Sequence, residues 1–202
     1  MNKGTLYVLS APSGCGKGTV LNELFKKTDN VYYSVSATTR QPREGEVDGV
    51  NYYFVTKERF LELVRNDGML EYATFVDNYY GTPKAPIEEK LAEGKDVILE
   101  IETAGAMMVK SVCPEAVLIF MLPPSIDELA HRLEGRGTET EEVIQKRVTQ
   151  AYREIRLANN YDYVFVNDNL SEAVDDLMMI MKSAKHLVNK NNEIIKGVLE
   201  KC

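Results

Sequence analysis

Ser10-Ala11-Pro12-Ser13-Gly14-Cys15-Gly16-Lys17-Gly18-Thr19 sets three glycines and a lysine between an apolar run, Leu6-Tyr7-Val8-Leu9, and a helix-like pattern. Glycines at 14, 16 and 18 let the backbone curl so that successive N–H groups face one anion. The N-terminus of the next helix adds positive potential, and Lys17 supplies a mobile cation. That chemistry is phosphate binding, and the loop predicts a bound nucleotide. Ala11 stands where the strict pattern has its first glycine, and Gly18 where a magnesium-binding Ser or Thr is usual. The motif by itself therefore names no reaction. An ordinary glycine-rich turn is the alternative, and the preceding strand and enclosed lysine weigh against it.

Other groups could act on the same phosphates. Val97-Ile98-Leu99-Glu100-Ile101-Glu102 is an apolar strand with carboxylates two residues apart, which predicts both on one face at its C-terminal end. Open α/β sheets bind ligands at that end, and a carboxylate there could hold the water shell of Mg²⁺ or orient a nucleotide. Thr38-Thr39-Arg40-Gln41-Pro42-Arg43 places two arginines in a turn, where guanidinium forks match phosphate oxygens. Tyr79-Tyr80-Gly81-Thr82 reads as hydroxyls on a tight turn, or as packing residues. Arg132, Arg136 and Arg147 lie in a polar helical stretch, the first two at i and i+4, and would carry cations onto phosphates if that stretch closed as a lid. The alternative is an exposed helix with ion pairs to Glu134, Glu139, Glu141 and Glu142. Cys15 could have its thiol acidified by the helix N-terminus and Lys17, although a small side chain merely tolerated in the loop is the simpler reading.

The elements that must position these groups alternate. Strand-like runs at Leu6–Leu9, Val97–Ile101, Ala116–Leu122 and Tyr163–Val166 are separated by helical patterns at 17–27, 104–112, 126–134 and 141–158, with a final helix from Ser171. This predicts an α/β fold, a parallel sheet covered by helices. Ser125 with Glu128 and Thr138 with Glu141 have capping-box spacing. Residues 36–87 read as an inserted subdomain: strand pieces at Asn51–Val55 and Met69–Phe75, a helix from Thr56 to about Arg65, and turns at Gly45, Gly49, Gly68 and Gly81. Residues 126–150 read as a second insertion, mobile rather than core. The remaining segments, 1–35, 88–125 and 151–202, form the core, with Met178-Met179-Ile180-Met181 as adaptable core filling.

Composition removes several function classes. A chain of 202 residues with 44% hydrophobic and 27% charged residues is ordinary for a globular protein, and no apolar run approaches the length of a membrane span. Met1-Asn2-Lys3-Gly4 runs straight into a strand pattern without room for an apolar signal core, which predicts a cytoplasmic protein. The three widely spaced cysteines, Cys15, Cys113 and Cys202, fit a reducing compartment. A net charge of −7 argues against nucleic-acid binding, and the only histidines, His131 and His186, read as surface residues.

Taken in order, 11–19, Ser-Val-Ser-Ala-Thr-Thr-Arg-Gln-Pro-Arg-Glu-Gly-Glu (34–46), Asn-Tyr-Tyr-Gly-Thr (78–82), Leu-Glu-Ile-Glu (99–102), Arg-Gly-Thr-Glu-Thr-Glu (136–141) and Val-Asn-Asp (166–168) resemble the guanylate kinase family over nearly the whole chain. The resemblance implies a P-loop NTPase fold with a GMP-binding subdomain and a helical lid. The implied reaction is ATP + GMP ⇌ ADP + GDP, dGMP included. It implies ATP on Ala11, Pro12, Ser13, Gly14, Cys15, Gly16, Lys17, Gly18 and Thr19, with Arg132, Arg136 and Asn167 beside it. The GMP phosphate would meet Arg40, Arg43, Tyr52 and Tyr80, with Ser36 close by, and the guanine would be read by Glu71, Thr82 and Glu102, with Glu100 in the same site. A carboxylate accepts from guanine N1–H and N2–H₂, whereas adenine would leave it unpaired. Lys17, Arg40, Arg136 and Arg147 would carry catalysis. Relatives often have Asp where this chain has Glu100 and Glu102, so the charge is kept on a longer arm. Mg²⁺ is expected on ATP phosphates and waters, near Thr19 and Glu100, without a dedicated protein cage. A homo-oligomer is compatible with the sequence.

Three rivals remain. A protein-binding module of the same fold would lack the loop lysine or lid arginines. A kinase for another monophosphate would lack the carboxylates aimed at guanine. A P-loop GTPase would carry an Asn-Lys-x-Asp segment, which this chain does not.

Overall fold

A computed structural model of the chain describes residues 3–135 and 140–200. Strand β1 (Leu6–Ser10) runs into the glycine loop and helix α1 (Lys17–Lys27), followed by β2 (Val31–Tyr33), β3 (Ala37–Thr38) and β4 (Tyr53–Phe54). Then come α2 (Lys57–Arg65), β5 (Met69–Phe75), β6 (Asn78–Pro83), α3 (Lys84–Ala92), β7 (Asp96–Glu100) and α4 (Thr103–Val112). The last elements are β8 (Val117–Leu122), α5 (Ile126–Glu134), α6 (Glu141–Arg156), β9 (Tyr163–Val166), α7 (Leu170–Ala184) and α8 (Asn192–Leu199).

Five strands in the order β2-β7-β1-β8-β9, all parallel, make the main sheet. Alternation along each strand divides its apolar side chains between two layers. Tyr7, Leu9, Ile98, Ile119 and Met121 meet α1, α5 and α7 on one face; Leu6, Val8, Val97, Leu99 and Leu118 meet α3 and α4 on the other. The C-terminal strand ends, where β1 hands over to the loop, thus emerge between two sealed layers. A second, mixed sheet, β4-β3-β6-β5, is closed by Phe60 of α2 and joined to the core by Leu70 of β5.

Several expectations need correction. Tyr79–Thr82 is not a tight turn but the body of β6, paired antiparallel with β5. The turn lies at Val76 and Asp77, whose φ of 44° and 62° put non-glycine residues in the left-handed region. Gly81 is in the strand for a different reason: a Cβ there would stand 2.7 Å from the Glu71 carbonyl oxygen and 2.9 Å from the Tyr72 Cβ. The strand expected over Asn51–Val55 shrinks to β4 and a bridge between Asp48 and Tyr52. Helix α3 was not anticipated. Glu102 is not on β7; it is the N-cap of α4, so Glu100 and Glu102 leave different elements.

Ser125 caps α5 as expected, accepting from the Glu128 N–H at 3.0 Å. Thr138 and Arg136 lie outside the described residues; α6 begins after Thr140, which makes no side-chain cap. The described parts of 126–150, in α5 and α6, are not peripheral to the core. Leu129, Leu133 and Ile144 are buried in the main cluster, and each fully buried leucine stabilises by roughly 2 kcal/mol. The polar composition concealed this because only one face of each helix is apolar. In the methionine stretch Met181 is core while Met179 is exposed.

Candidate active site

The loop is shaped from within. Gly14 and Gly16 have φ of 91° and 92°, which side chains rarely adopt, and the Cys15 N–H donates to the Pro12 carbonyl at 3.1 Å. Lys17 opens α1 and folds back so that its Nζ donates to the Ala11 carbonyl at 2.8 Å. Ala11 and Pro12 are buried, whereas Ser13, Gly18 and Thr19 are exposed. A Cβ on Gly18 would meet nothing within 4 Å, so no crowding demands glycine there.

Cys15 is not an acidified, reactive thiol. It is fully buried, with Sγ 3.7 Å from the Met121 carbonyl, and burial pushes its pKa up to about 11. The loop is locked from the far side by Asn167, whose Nδ2 donates to the Cys15 carbonyl at 2.8 Å. A Cβ on Gly16 would come within 2.8 Å of that nitrogen. Arg132 continues the chain of contacts, donating through NH1 to the Asn167 carbonyl at 2.9 Å and through Nε to Glu128 at 2.8 Å. It thus pairs with Glu128, one turn back; of the glutamates expected as partners further on, Glu139 lies outside the described residues. Arg147 is half-buried on α6, two turns before Glu154 and on the same face.

The second cluster sits on the mixed sheet. Arg40 is held by both oxygens of Glu46 at 2.9 Å, and its guanidinium stands 5.5 Å from the centre of the Tyr52 ring and 5.8 Å from that of Phe54. The Tyr80 ring meets Tyr52 edge-on at 6.1 Å. The Arg43 N–H donates to Glu46 at 2.7 Å, while the Arg43 side chain is exposed. Ser36 is half-buried beside them and accepts from the Tyr53 N–H through its carbonyl.

Arg40 and the Arg43 N–H hold the Glu46 carboxyl at about 2, below its ordinary 4.5. A depressed carboxylate adds stability above its unfolded pKa and loses it as pH falls through the folded one. Glu46→Gln should therefore lower the thermal midpoint at pH 7, with the gap to the parent closing between about pH 4.5 and 2. Because Arg40 would be released from its fork, KM for GMP should rise roughly tenfold. Midpoints across that range and initial rates check both parts; a gap that persists at the acid end would mean Glu46 acts otherwise.

Glu71 lies at the junction of the two sheets. It is 7% exposed and accepts from the Thr82 hydroxyl at 2.5 Å. Gly105 of α4 backs the carboxylate so closely that a Cβ there would stand 3.0 Å from Oε2. Burial raises the Glu71 pKa, the Thr82 hydrogen bond opposes this, and nearby Glu102 raises it further. The two acids expected to read guanine are therefore within electrostatic reach of each other. Glu100 sits at the end of β7, in register with Leu9 just before the loop, and accepts from the Tyr33 hydroxyl at 3.2 Å.

The sequence reading gives Tyr33, Glu46 and Glu154 no role at the site, and Glu128 only that of capping partner to Ser125. Glu46 carried a signal, an acid six residues after Arg40 in a turn. Glu154 carried one only in its two-turn spacing from Arg147. It is a half-buried acid whose pKa is raised, chiefly by burial and also by Glu102, against the lowering pull of Gln150 and Lys17.

The parallel sheet, the loop between β1 and α1, and the appended mixed sheet define a P-loop nucleoside monophosphate kinase. The sequence matches the guanylate kinase family profile over residues 3–184, and the chain belongs to that family. It is 52% identical to the guanylate kinase of Clostridioides difficile, covering 96% of this chain and 95% of that one. It is 49% identical to the guanylate kinase of Carboxydothermus hydrogenoformans over the full length of both. The crystal structure of guanylate kinase from Anaplasma phagocytophilum, 34% identical, aligns with a TM-score of 0.72 over 93% of this chain and 89% of that one.

Proposed function

We propose that the protein transfers the γ-phosphoryl group of ATP to GMP, or to dGMP, with ATP on residues 11–19 and GMP on the mixed sheet. Carrying this reading is the joint presence of the Lys17 loop and a buried Glu71–Thr82 pair beside the Arg40–Tyr52–Tyr80 cluster. A phosphate oxygen of GMP attacks the γ-phosphorus while the bond to the ADP oxygen breaks. The transition state is loose, so catalysis consists of positioning and of cations on the equatorial oxygens. Lys17, Arg40 and Arg147 supply charge from three elements, with Arg136 as the fourth by resemblance. Arg43, Tyr52, Tyr80 and Ser36 seat the GMP phosphate; Glu71, Thr82 and Glu102 accept from and donate to the guanine edge. Asn167 and Arg132 hold the ATP loop in shape through the Cys15 carbonyl.

The oxygen donors near the loop, Thr19 and Glu100, suit the hard oxygen shell of Mg²⁺, which is retained chiefly by ATP phosphates and water. Bound there, the ion would neutralise phosphate charge. Residues 36–87 serve as the GMP-binding subdomain and 126–150 as a lid whose apolar side packs into the core formed with 1–35, 88–125 and 151–202. Free thiols at Cys15 and Cys113 suit a reducing cytoplasm. Among the described residues no helix is long and apolar enough to cross a membrane.

Coupled ADP release measured with Mg²⁺ across AMP, GMP, CMP and UMP tests the reading. GMP should be turned over fastest by a wide margin. No turnover with GMP, or faster turnover with AMP, would overturn it and favour a binding module or another kinase.

A further inference from the structure

Tyr33 closes β2, and β2 pairs with β7 in parallel, Tyr33 opposite Ile98. With period-two alternation, Ile98 and Glu100 leave the same face of β7, so Tyr33 stands diagonally behind Glu100 on that face. This is the face covered by α1, where Phe25 meets the Tyr33 ring edge-on at 5.9 Å. The ring is thereby fixed against the helix that the phosphate loop begins. Its hydroxyl then reaches the Glu100 carboxylate, donating to Oε2 at 3.2 Å.

Glu100 needs such support. Leu9 is its register partner on β1, so its side chain leaves the sheet beside the start of the loop, where β7 ends and β2 no longer flanks it. A glutamate has three side-chain torsions, and an unsupported one on a strand end samples several rotamers. One hydrogen bond from a ring held by packing selects among them, and the acceptor is charged, which strengthens the bond.

We propose that Tyr33 is a positioning residue for phosphoryl transfer, acting through Glu100 by fixing its carboxylate toward the nucleotide cleft. The proposal rests on the reading that Glu100 belongs to the substrate site. Tyr33→Phe removes one oxygen and keeps the ring against Phe25. It should lower kcat by about three- to tenfold, with KM for both nucleotides changed by less than twofold and the thermal midpoint unchanged.

Glu100→Gln should lower kcat by tenfold or more, and adding Tyr33→Phe to it should have almost no further effect, because the partner of the hydroxyl is already altered. A Tyr33→Phe enzyme with parental kcat overturns the proposal. So does one whose deficit is undiminished in the Glu100→Gln background or accompanied by a lowered midpoint, since the hydroxyl would then be structural. A Glu100→Gln enzyme with unchanged kcat and KM overturns the placement of Glu100 in the site itself. Those two failures are distinguishable because the Glu100 variant is measured alone.

Discussion

Lys17→Ala is expected to reduce kcat by about 10³-fold or more while leaving the protein as stable as its parent. The rate term follows from charge. A phosphoryl group in transfer spreads negative charge over oxygens that the protein can meet only with cations and N–H groups, and Lys17 is the cation built into the loop. The stability term follows from two opposing contacts. Its Nζ makes one hydrogen bond, to the Ala11 carbonyl at 2.8 Å, from a half-exposed position. It is also the first residue of α1, where a positive charge opposes the helix dipole by about 0.3–1 kcal/mol. Losing a hydrogen bond of about 1 kcal/mol and an unfavourable charge of similar size leaves a net change near zero. The midpoint should therefore stay within about 2 °C, as a change of half a kcal/mol implies for a chain of this length. Rates with GMP and a melting curve decide the matter. Near-parental turnover removes the loop from the mechanism, and a collapsed midpoint shows that Lys17 holds the loop together.

The sequence made the loop legible because phosphate binding by backbone demands glycines at fixed spacing between a strand and a helix. Gly14 and Gly16 do take the left-handed conformations that demand requires. The parallel sheet was equally legible, since the apolar runs of β1, β7 and β8 are buried on both faces and show little alternation, unlike β9 at the edge. The edges of elements and the partners of charged groups were not. Tyr79–Thr82 looked like a turn because Gly81 is read as a breaker, whereas the glycine answers the close passage of Glu71 and Tyr72 on the next strand. Glu100 and Glu102 looked like a same-face pair because period-two spacing assumes that the strand continues; β7 ends at Glu100 and Glu102 caps α4. Acidification of Cys15 was the lesser of two readings, kept open because local charge can be read from the sequence and burial against the Met121 carbonyl cannot. The fork of Glu46 on Arg40 and the reach of Tyr33 to Glu100 depend on tertiary placement, which composition and spacing do not encode.

Glu71→Gln should separate stability from function, and in opposite directions. Burial and Glu102 raise the Glu71 pKa in the folded protein, so the native state holds its proton more firmly than the unfolded chain does. For a carboxyl shifted upward, stability is highest below the unfolded pKa and falls as pH rises through the folded one. Glutamine cannot ionise and keeps an oxygen to accept from Thr82, so the variant should melt above its parent at neutral pH, with the difference vanishing in acid. Activity should move the other way. Guanine offers N1–H and N2–H₂ to a carboxylate that accepts at both oxygens, whereas glutamine presents one acceptor and one donor. A donor facing a donor in a site this buried costs about 1–3 kcal/mol, and kcat/KM for GMP should fall by about 10²-fold. Adenine, with an acceptor at N1 beside a donor at N6, matches an amide, so preference for GMP over AMP should shrink by at least the same factor. Parental kcat/KM for GMP in this variant would place guanine recognition elsewhere. A midpoint below that of the parent at neutral pH would mean that Glu71 stabilises the mixed sheet as an anion, its attraction to Thr82 outweighing its burial.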